Sequence, residues 1–347
     1  MGPYVAEVVV KGRKFVRRNP TNLTAEDVRH FDLNISFNSP DLRLYFFNDI
    51  FMLPDSTLFW GVFPLRISFP FFKKRIKHHS IKGVFDIRRK WNKLVFPAKR
   101  IRYAVIHDQW TSNYYHWLTQ ALPRLLLIKK SGLQFKLLLP VTHTRDFHLK
   151  SLEVLGTTEW TTLDTGNVYF DLHDLIYPGH DLQIGDYHDD LIKELSTAFR
   201  VNRASVTKKR FIFVHRASTS SRKIVNETEV IKTFSNWGFD IVDFEKMKFE
   251  DQVDLASQAS ILAGVHGAGL TNMLFMEARS RVFELTSVLN GEQYYYFTLS
   301  NALEHKYYYQ RCQPDSPDKS IQEANLLVDI SLLNKNLKLM IDNNSDD

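Results

Sequence analysis

The sequence holds a single cysteine, Cys312, in 347 residues. One thiol excludes an intramolecular disulfide and a Cys-rich zinc cluster, and it predicts a reducing compartment. No Cys/His spacing suited to a metal is present. Nowhere do about 18 apolar residues run together, so no membrane-spanning helix is expected. The first residues lack a charged stretch followed by a long apolar core, which argues against a signal peptide. Glycine is sparse at 14 residues, and the GxGxxG phosphate fingerprint does not occur.

What is present is enough apolar material for two ordinary domains. Hydrophobic residues make up 44% and aromatics 13% of the chain, which excludes a disordered protein. The formal charge of +6 favours an anionic partner, though weakly. Much of that charge sits in residues 66–102, where thirteen Lys and Arg face one acid, Asp86. Phe69, Phe71, Phe72, Phe85, Trp91 and Phe96 are interleaved. Three readings stay open: a solvated basic face over core aromatics, contact with an anionic membrane surface, and nucleic-acid binding. No nucleic-acid motif accompanies the segment, so no nucleic acid is expected as a partner.

Apolar runs alternate with helical periodicity along most of the chain. Short runs at 8–10, 42–47, 51–53 and 58–63 predict strands. Ile101 to His107 predicts another, followed by a polar loop with Asp108, Asn113, Tyr115 and His116. Residues 118–129 carry a helical pattern that Pro123 should kink. Strands are expected at 136–140, 162–164, 168–171 and 175–178, and helices at 146–155 and 189–201. The polar stretch 202–209 reads as the domain boundary. Beyond it the alternation is cleaner: strands at 210–214, 239–243, 261–265 and 281–285, with helices at 227–237, 249–257, 270–276 and 292–302. That is a parallel βαβ series.

The stretch Ile261 to Met276 has the form strand, small-residue turn, helix, with His266, Gly267, Ala268 and Gly269 at the turn. A helix start offers unpaired N–H groups and the positive end of a dipole, and glycine lets an anion approach the backbone. Thr271 and Asn272 add side-chain donors. A turn that merely packs a helix on a sheet would carry the same residues. If strands 210–214 and 261–265 are neighbours, Arg216 and Arg222 reach the turn, and two guanidiniums there make a diphosphate clamp.

Taken together, Arg216-x5-Arg222-x3-Asn226-Glu227, Gly238-Phe239, Phe249-Glu250-Asp251-Gln252 and His266-Gly267-Ala268-Gly269-Leu270-Thr271-Asn272 resemble glycosyltransferase family 61 over about residues 100–310. Tyr115-His116-Trp117 and Leu122-Pro123-Arg124-Leu125 fit its bacterial branch. The resemblance implies an α/β, GT-B-like fold: two Rossmann-type lobes with parallel sheets and a cleft between them. The lobes would be 1–200 and 209–311, with 312–347 packing back as an extension. It also implies transfer of a sugar with inversion from a nucleotide sugar, such as a UDP-sugar, to a glycan or lipid-linked glycan. No cofactor and no bound metal are implied. The absence of an Asp-x-Asp motif agrees, since Asp251-Gln252-Val253-Asp254 has other spacing. In this reading Arg216, Arg222, Asn226, His266, Gly267, Ala268, Gly269, Thr271, Asn272 and Glu284 bind the nucleotide sugar, Glu284 at its ribose. Asn113, Tyr115, Trp117 and Arg124 lie on the acceptor side. The base is His116 first, Asp108 second. The setting expected is the bacterial cytoplasm, with 66–102 at the inner membrane face and surface polysaccharide as product. A non-catalytic nucleotide- or glycan-binding module on the same fold remains the alternative.

Overall fold

A computed structural model describes residues 4–61, 63–68, 93–95, 101–163, 169–201, 209–216, 222–287, 294–316 and 324–342. Most of the basic segment 66–102 lies outside them. The chain divides into two compact units, Met1–Arg13 with Asn38–Ile184, and Lys14–Phe37 with Gly185–Asp347. The division thus falls at 184/185, not in the polar stretch 202–209. Aromatic packing explains why Lys14–Phe37 joins the later unit. Phe31 lies 5.1 Å from the rings of Tyr294, Phe297 and Tyr309, and Asp27 accepts from Tyr309 Oη and Arg311 Nη1.

The first unit is built on one sheet. Its main strands are β1 (Tyr4–Val10), β2 (Leu42–Met52), β3 (Tyr103–Ala104), β4 (Lys136–Pro140), β5 (Trp160–Leu163) and β6 (Tyr169–Pro178). The order is β5-β4-β3-β6-β2, with β1 on β2. Neighbours from β5 to β6 are parallel, whereas β2 runs antiparallel to both β6 and β1. The expected all-parallel lobe is therefore a mixed sheet. The sequence breaks at Asn48-Asp49 and around 172–174 suggest short strands, but each lies inside one long strand. Leu175 sits opposite Phe47 and Leu172 opposite Ile50, so the two ribbons bury matched apolar residues.

The second unit has the cleaner sheet. Strands β7 (Arg210–Val214), β8 (Phe239–Val242), β9 (Ala259–Val265), β10 (Arg281–Thr286) and β11 (Lys306–Arg311) are all parallel, in the order β8-β7-β9-β10-β11. Every residue of β9 is buried, as expected of a strand covered on both faces. Phe213 stacks on Phe234 of the helix Glu227–Asn236 at 4.0 Å. That helix ends where Gly238 takes a φ of +80°, a conformation that suits glycine. The C-terminal helix Ile330–Asp342 places Leu333, Leu337 and Met340 in the same core.

The first unit also buries three imidazoles. His107, His143 and His148 cluster with ring centroids 5.1 and 5.5 Å apart. Burial pushes His107 and His148 down to about 3 and His143 to about 4. Below the ordinary value near 6.5 the unfolded chain takes up protons that the folded chain refuses. Their contribution to stability is complete above that pH and is lost as pH falls towards 4. The urea midpoint of this unit should therefore fall steadily from pH 6.5 to 4 and stay level from pH 7 to 8.5. A level midpoint down to pH 5 would show that these rings titrate normally.

Candidate active site

The strand order of the second unit reverses between β7 and β9. In open parallel sheets, ligands bind outside the carboxyl ends of the strands at such a point. Here Val214 pairs with Gly264, so the residues leaving both strands emerge side by side. From β7 come His215 and Arg216, and from β9 come His266 and Gly267. Arg216 Nη1 and Arg222 Nη1 both donate to the backbone oxygen of His266, at 3.1 and 2.9 Å. Two positive charges thus converge on one carbonyl. Burial, and then the charge of Arg222, lower the pKa of Arg216. Arg222 holds a left-handed φ of +57°, an unfavourable state for a non-glycine residue that the surroundings must impose. Its Nε is buried without a hydrogen-bond partner among the described residues.

The glycines act differently from expectation. A Cβ on Gly267 would lie 2.0 Å from Arg216 Nη1, and one on Gly269 would lie 2.6 Å from Val214 Cγ1. Gly267 therefore admits a guanidinium, and Gly269 admits strand β7. Gly267→Ala should displace the flexible Arg216 side chain at little cost in stability. Its melting temperature should match the parent's while nucleotide affinity falls as in Arg216→Ala. Parental affinity would mean that the arginine tip does not need this space.

After the turn, the expected α-helix is a 3-10 helix, Ala268–Phe275, with Leu270 N–H on the Gly267 oxygen at 3.0 Å. The Asn272 amide donates to the Gly269 oxygen at 3.0 Å and tightens this turn. Thr271 and Asn272 are wholly buried, so they shape the loop from beneath; only Ala268 and Gly269 of the turn are partly exposed. Asn226 is engaged on both sides of its amide by the backbone of Val328, at 2.9 and 3.0 Å, and so pins a neighbouring segment. Glu284 is 4% exposed. It contacts His266 Nδ1 and accepts from Tyr307 Oη at 2.6 Å, leaving no oxygen directed at a ribose.

In the first unit, Asn113 caps a short helical turn, Tyr114–His116, by accepting from Tyr115 N–H at 3.0 Å. A π-helical turn, Trp117–Ala121, follows, and then an α-helix, Leu122–Lys130. Pro123 has no N–H to give, and the wide turn lies just where that donor would be missed. His116 Nδ1 donates to Gln120 Oε1 at 2.7 Å. Burial pushes its pKa below the ordinary value, so the ring is neutral at pH 7. Its Nε2, held by no described residue, carries the lone pair of a base.

Asp108 is less suited to that role. Burial disfavours its charge, but the Arg124 guanidinium and then His180 more than offset this and hold it well below the usual carboxylate range. One oxygen takes Arg124 Nη1 at 2.9 Å, and the other takes the N–H of Trp110 at 2.8 Å and of Thr111 at 3.2 Å. Arg124 also donates to the Ile106 oxygen and His180, so it is a strut between the strand end and the loop. Trp117 is buried, with Nε1 on Ser151 Oγ at 2.8 Å, and Tyr115 is buried too. The two rings expected on the acceptor side are thus core. Trp110 is the exposed ring near His116, 6.1 Å away. Gln120 and Tyr307 were equally invisible as site residues. Gln120 sits one helical turn after His116, the one spacing that could have flagged it.

The second unit is therefore an α/β domain with two guanidiniums held at the turn of its switch point. Residues 114–283, just under half of the chain, match the family model Glycosyltransferase 61. The EGF domain-specific O-linked N-acetylglucosamine transferase of Bos taurus is 41% identical over 73 residues, 20% of this chain and 14% of that protein. The Mus musculus protein of the same name is 40% identical over 73 residues, with the same coverage. In the Drosophila melanogaster protein, 36% identity extends over 70 residues, 19% of this chain and 14% of the relative. The chain thus matches a small part of these curated relatives, which are animal proteins. Among the described residues no group of His, Cys, Asp and Glu could hold a metal ion, and no helix is long and apolar enough to cross a membrane.

Proposed function

We propose that the chain transfers a sugar from a nucleoside diphosphate donor to a hydroxyl group, with inversion and without a metal ion. The observation that carries this reading is the pair of guanidiniums held on one carbonyl at the switch point. An anion there relieves the repulsion between the two charges and receives donors in fork geometry. The acceptor hydroxyl gives its proton to Nε2 of His116, and its oxygen bonds to the anomeric carbon. The bond from that carbon to the diphosphate breaks on the opposite face. Its electron pair passes to the diphosphate, whose charge Arg216 and Arg222 stabilise as a metal would in other transferases.

The finer reading is a GT-B arrangement and a UDP-sugar donor. The relatives' name favours N-acetylglucosamine as the sugar, and the sequence motifs favour a glycan or lipid-linked glycan acceptor in bacterial surface polysaccharide synthesis. The basic segment 66–102 suits an anionic membrane surface near such an acceptor. Binding to the folded state raises stability by mass action, so a thermal-shift screen with UDP, GDP, CMP and dTDP tests the donor. A nucleoside diphosphate should raise the melting temperature in buffer containing EDTA, and nucleotide release from its sugar should continue there. Release that stops in EDTA and returns with Mn or Mg would replace the arginine clamp with a metal.

A further inference from the structure

Glu284 is a carboxylate inside a wholly buried strand, between Phe283 and Leu285, and both of its oxygens are occupied. It pairs across the sheet with Gly264, two residues before His266. From there Oε1 contacts His266 Nδ1, and Oε2 accepts from Tyr307 Oη at 2.6 Å. The His266 and Glu284 side chains are 8% and 5% exposed. His266 is fixed a second time by its backbone N–H, which donates to the Leu285 oxygen at 2.9 Å. Its carbonyl is the acceptor shared by Arg216 and Arg222. One residue therefore joins the arginine pair to a buried carboxylate.

The ring can present only one nitrogen to a ligand. Nδ1 faces Glu284, and no described residue bonds Nε2. A buried carboxylate needs a compensating positive charge. The Tyr296 hydroxyl has its pKa raised first by burial and then by the charge of Glu284. Phosphate oxygens only accept, so a ring that meets them must carry hydrogen on Nε2 as well as Nδ1. Glu284 holds the opposite nitrogen of that ring and so fixes the direction in which Nε2 points.

We infer that His266 is the third donor to the departing diphosphate, with Glu284 and Tyr307 as its positioning residues. The inference rests on the donor reading above. As the bond to the anomeric carbon breaks, the electron pair goes to the diphosphate and the Nε2–H hydrogen bond tightens. No proton leaves this ring; the proton from the acceptor hydroxyl goes to His116.

The test uses the full chain labelled with 15N-histidine and whichever of UDP, GDP, CMP and dTDP raises its melting temperature. His266→Asn identifies the His266 resonances by their loss. Saturating nucleotide should shift the His266 Nε2 resonance and leave Nδ1 hydrogen-bonded. Glu284→Gln should still bind nucleotide, but release it from the nucleotide sugar roughly 100-fold more slowly. Tyr307→Phe should slow release less, in the same direction, and serves in place of Glu284→Gln if that variant does not fold. Nucleotide binding without movement of Nε2, or parental release in a folded Glu284→Gln or, in its place, Tyr307→Phe, overturns the inference and leaves the donor reading standing. Binding of none of the four nucleotides overturns both.

Discussion

His116→Asn lowers kcat for sugar transfer by roughly a hundred-fold or more, with nucleotide affinity close to the parent's. Asparagine keeps a hydrogen-bonding group at this position but cannot take the acceptor proton. The size of the effect follows from the arrangement at the ring. Gln120 holds Nδ1–H, which fixes the tautomer, so Nε2 is the basic nitrogen. Burial lowers the pKa, and the sign of that shift sets the pH profile. The neutral form persists below the ordinary value near 6.5, so the rate should fall only on the acid side of it. Gln120→Leu frees the tautomer and should reduce kcat while leaving the pH limb governed by His116. Near-parental turnover in His116→Asn would make the residue a loop anchor. The saturated Asp108 would be a poor substitute, since it is held ionised by Arg124 and capped by two backbone N–H groups.

Arg222→Ala and Arg216→Ala each weaken nucleoside diphosphate binding by about 1.5–3 kcal/mol, which is roughly 10- to 150-fold in Kd. Neither should destabilise the free protein. The two guanidiniums repel each other across the His266 carbonyl, and the charge of Arg222 already lowers the pKa of Arg216. Removing Arg222 also removes a side chain from a left-handed backbone position. Arg222→Gly should therefore melt at or above the parental temperature while losing affinity. Calorimetric titration with UDP separates these effects from misfolding. Unchanged affinity in both folded alanine variants would dismiss the clamp.

The parallel half of the fold was legible for a physical reason. A strand buried on both faces, such as β9, reads as an apolar run, here over 261–265, and the helices between such strands carry their own period. Adjacency of β7 and β9 was only a condition in the sequence reading; the sheet order meets it and so brings Arg216, Arg222 and the turn together. The antiparallel ribbon of the first unit was not legible. Asn48 and Asp49 look like a break in sequence, yet register with β6 is fixed by distant residues such as Leu172 and Leu175. Aromatic residues misled for a similar reason. Tyr115, Trp117 and Trp110 have the same composition signal, and only packing separates the two core rings from the exposed one. Within the turn, small residues suggested room for an anion, but the space at Gly267 admits Arg216 instead. Glu284 did carry a signal, because a carboxylate in a buried strand needs a partner; its partners are His266 and Tyr307.

The switch-point clamp is expected to hold a nucleoside diphosphate sugar for transfer. Nucleotide release from UDP-, GDP- and dTDP-sugars and from a CMP-sugar, measured in EDTA for the parent and for the Arg216→Ala/Arg222→Ala double variant, tests it most directly. Release from one nucleoside diphosphate sugar by the parent, and its near-complete loss in a normally folded double variant, is the expected result. Equal release by both proteins, or none by the parent with any of the donors, would contradict it.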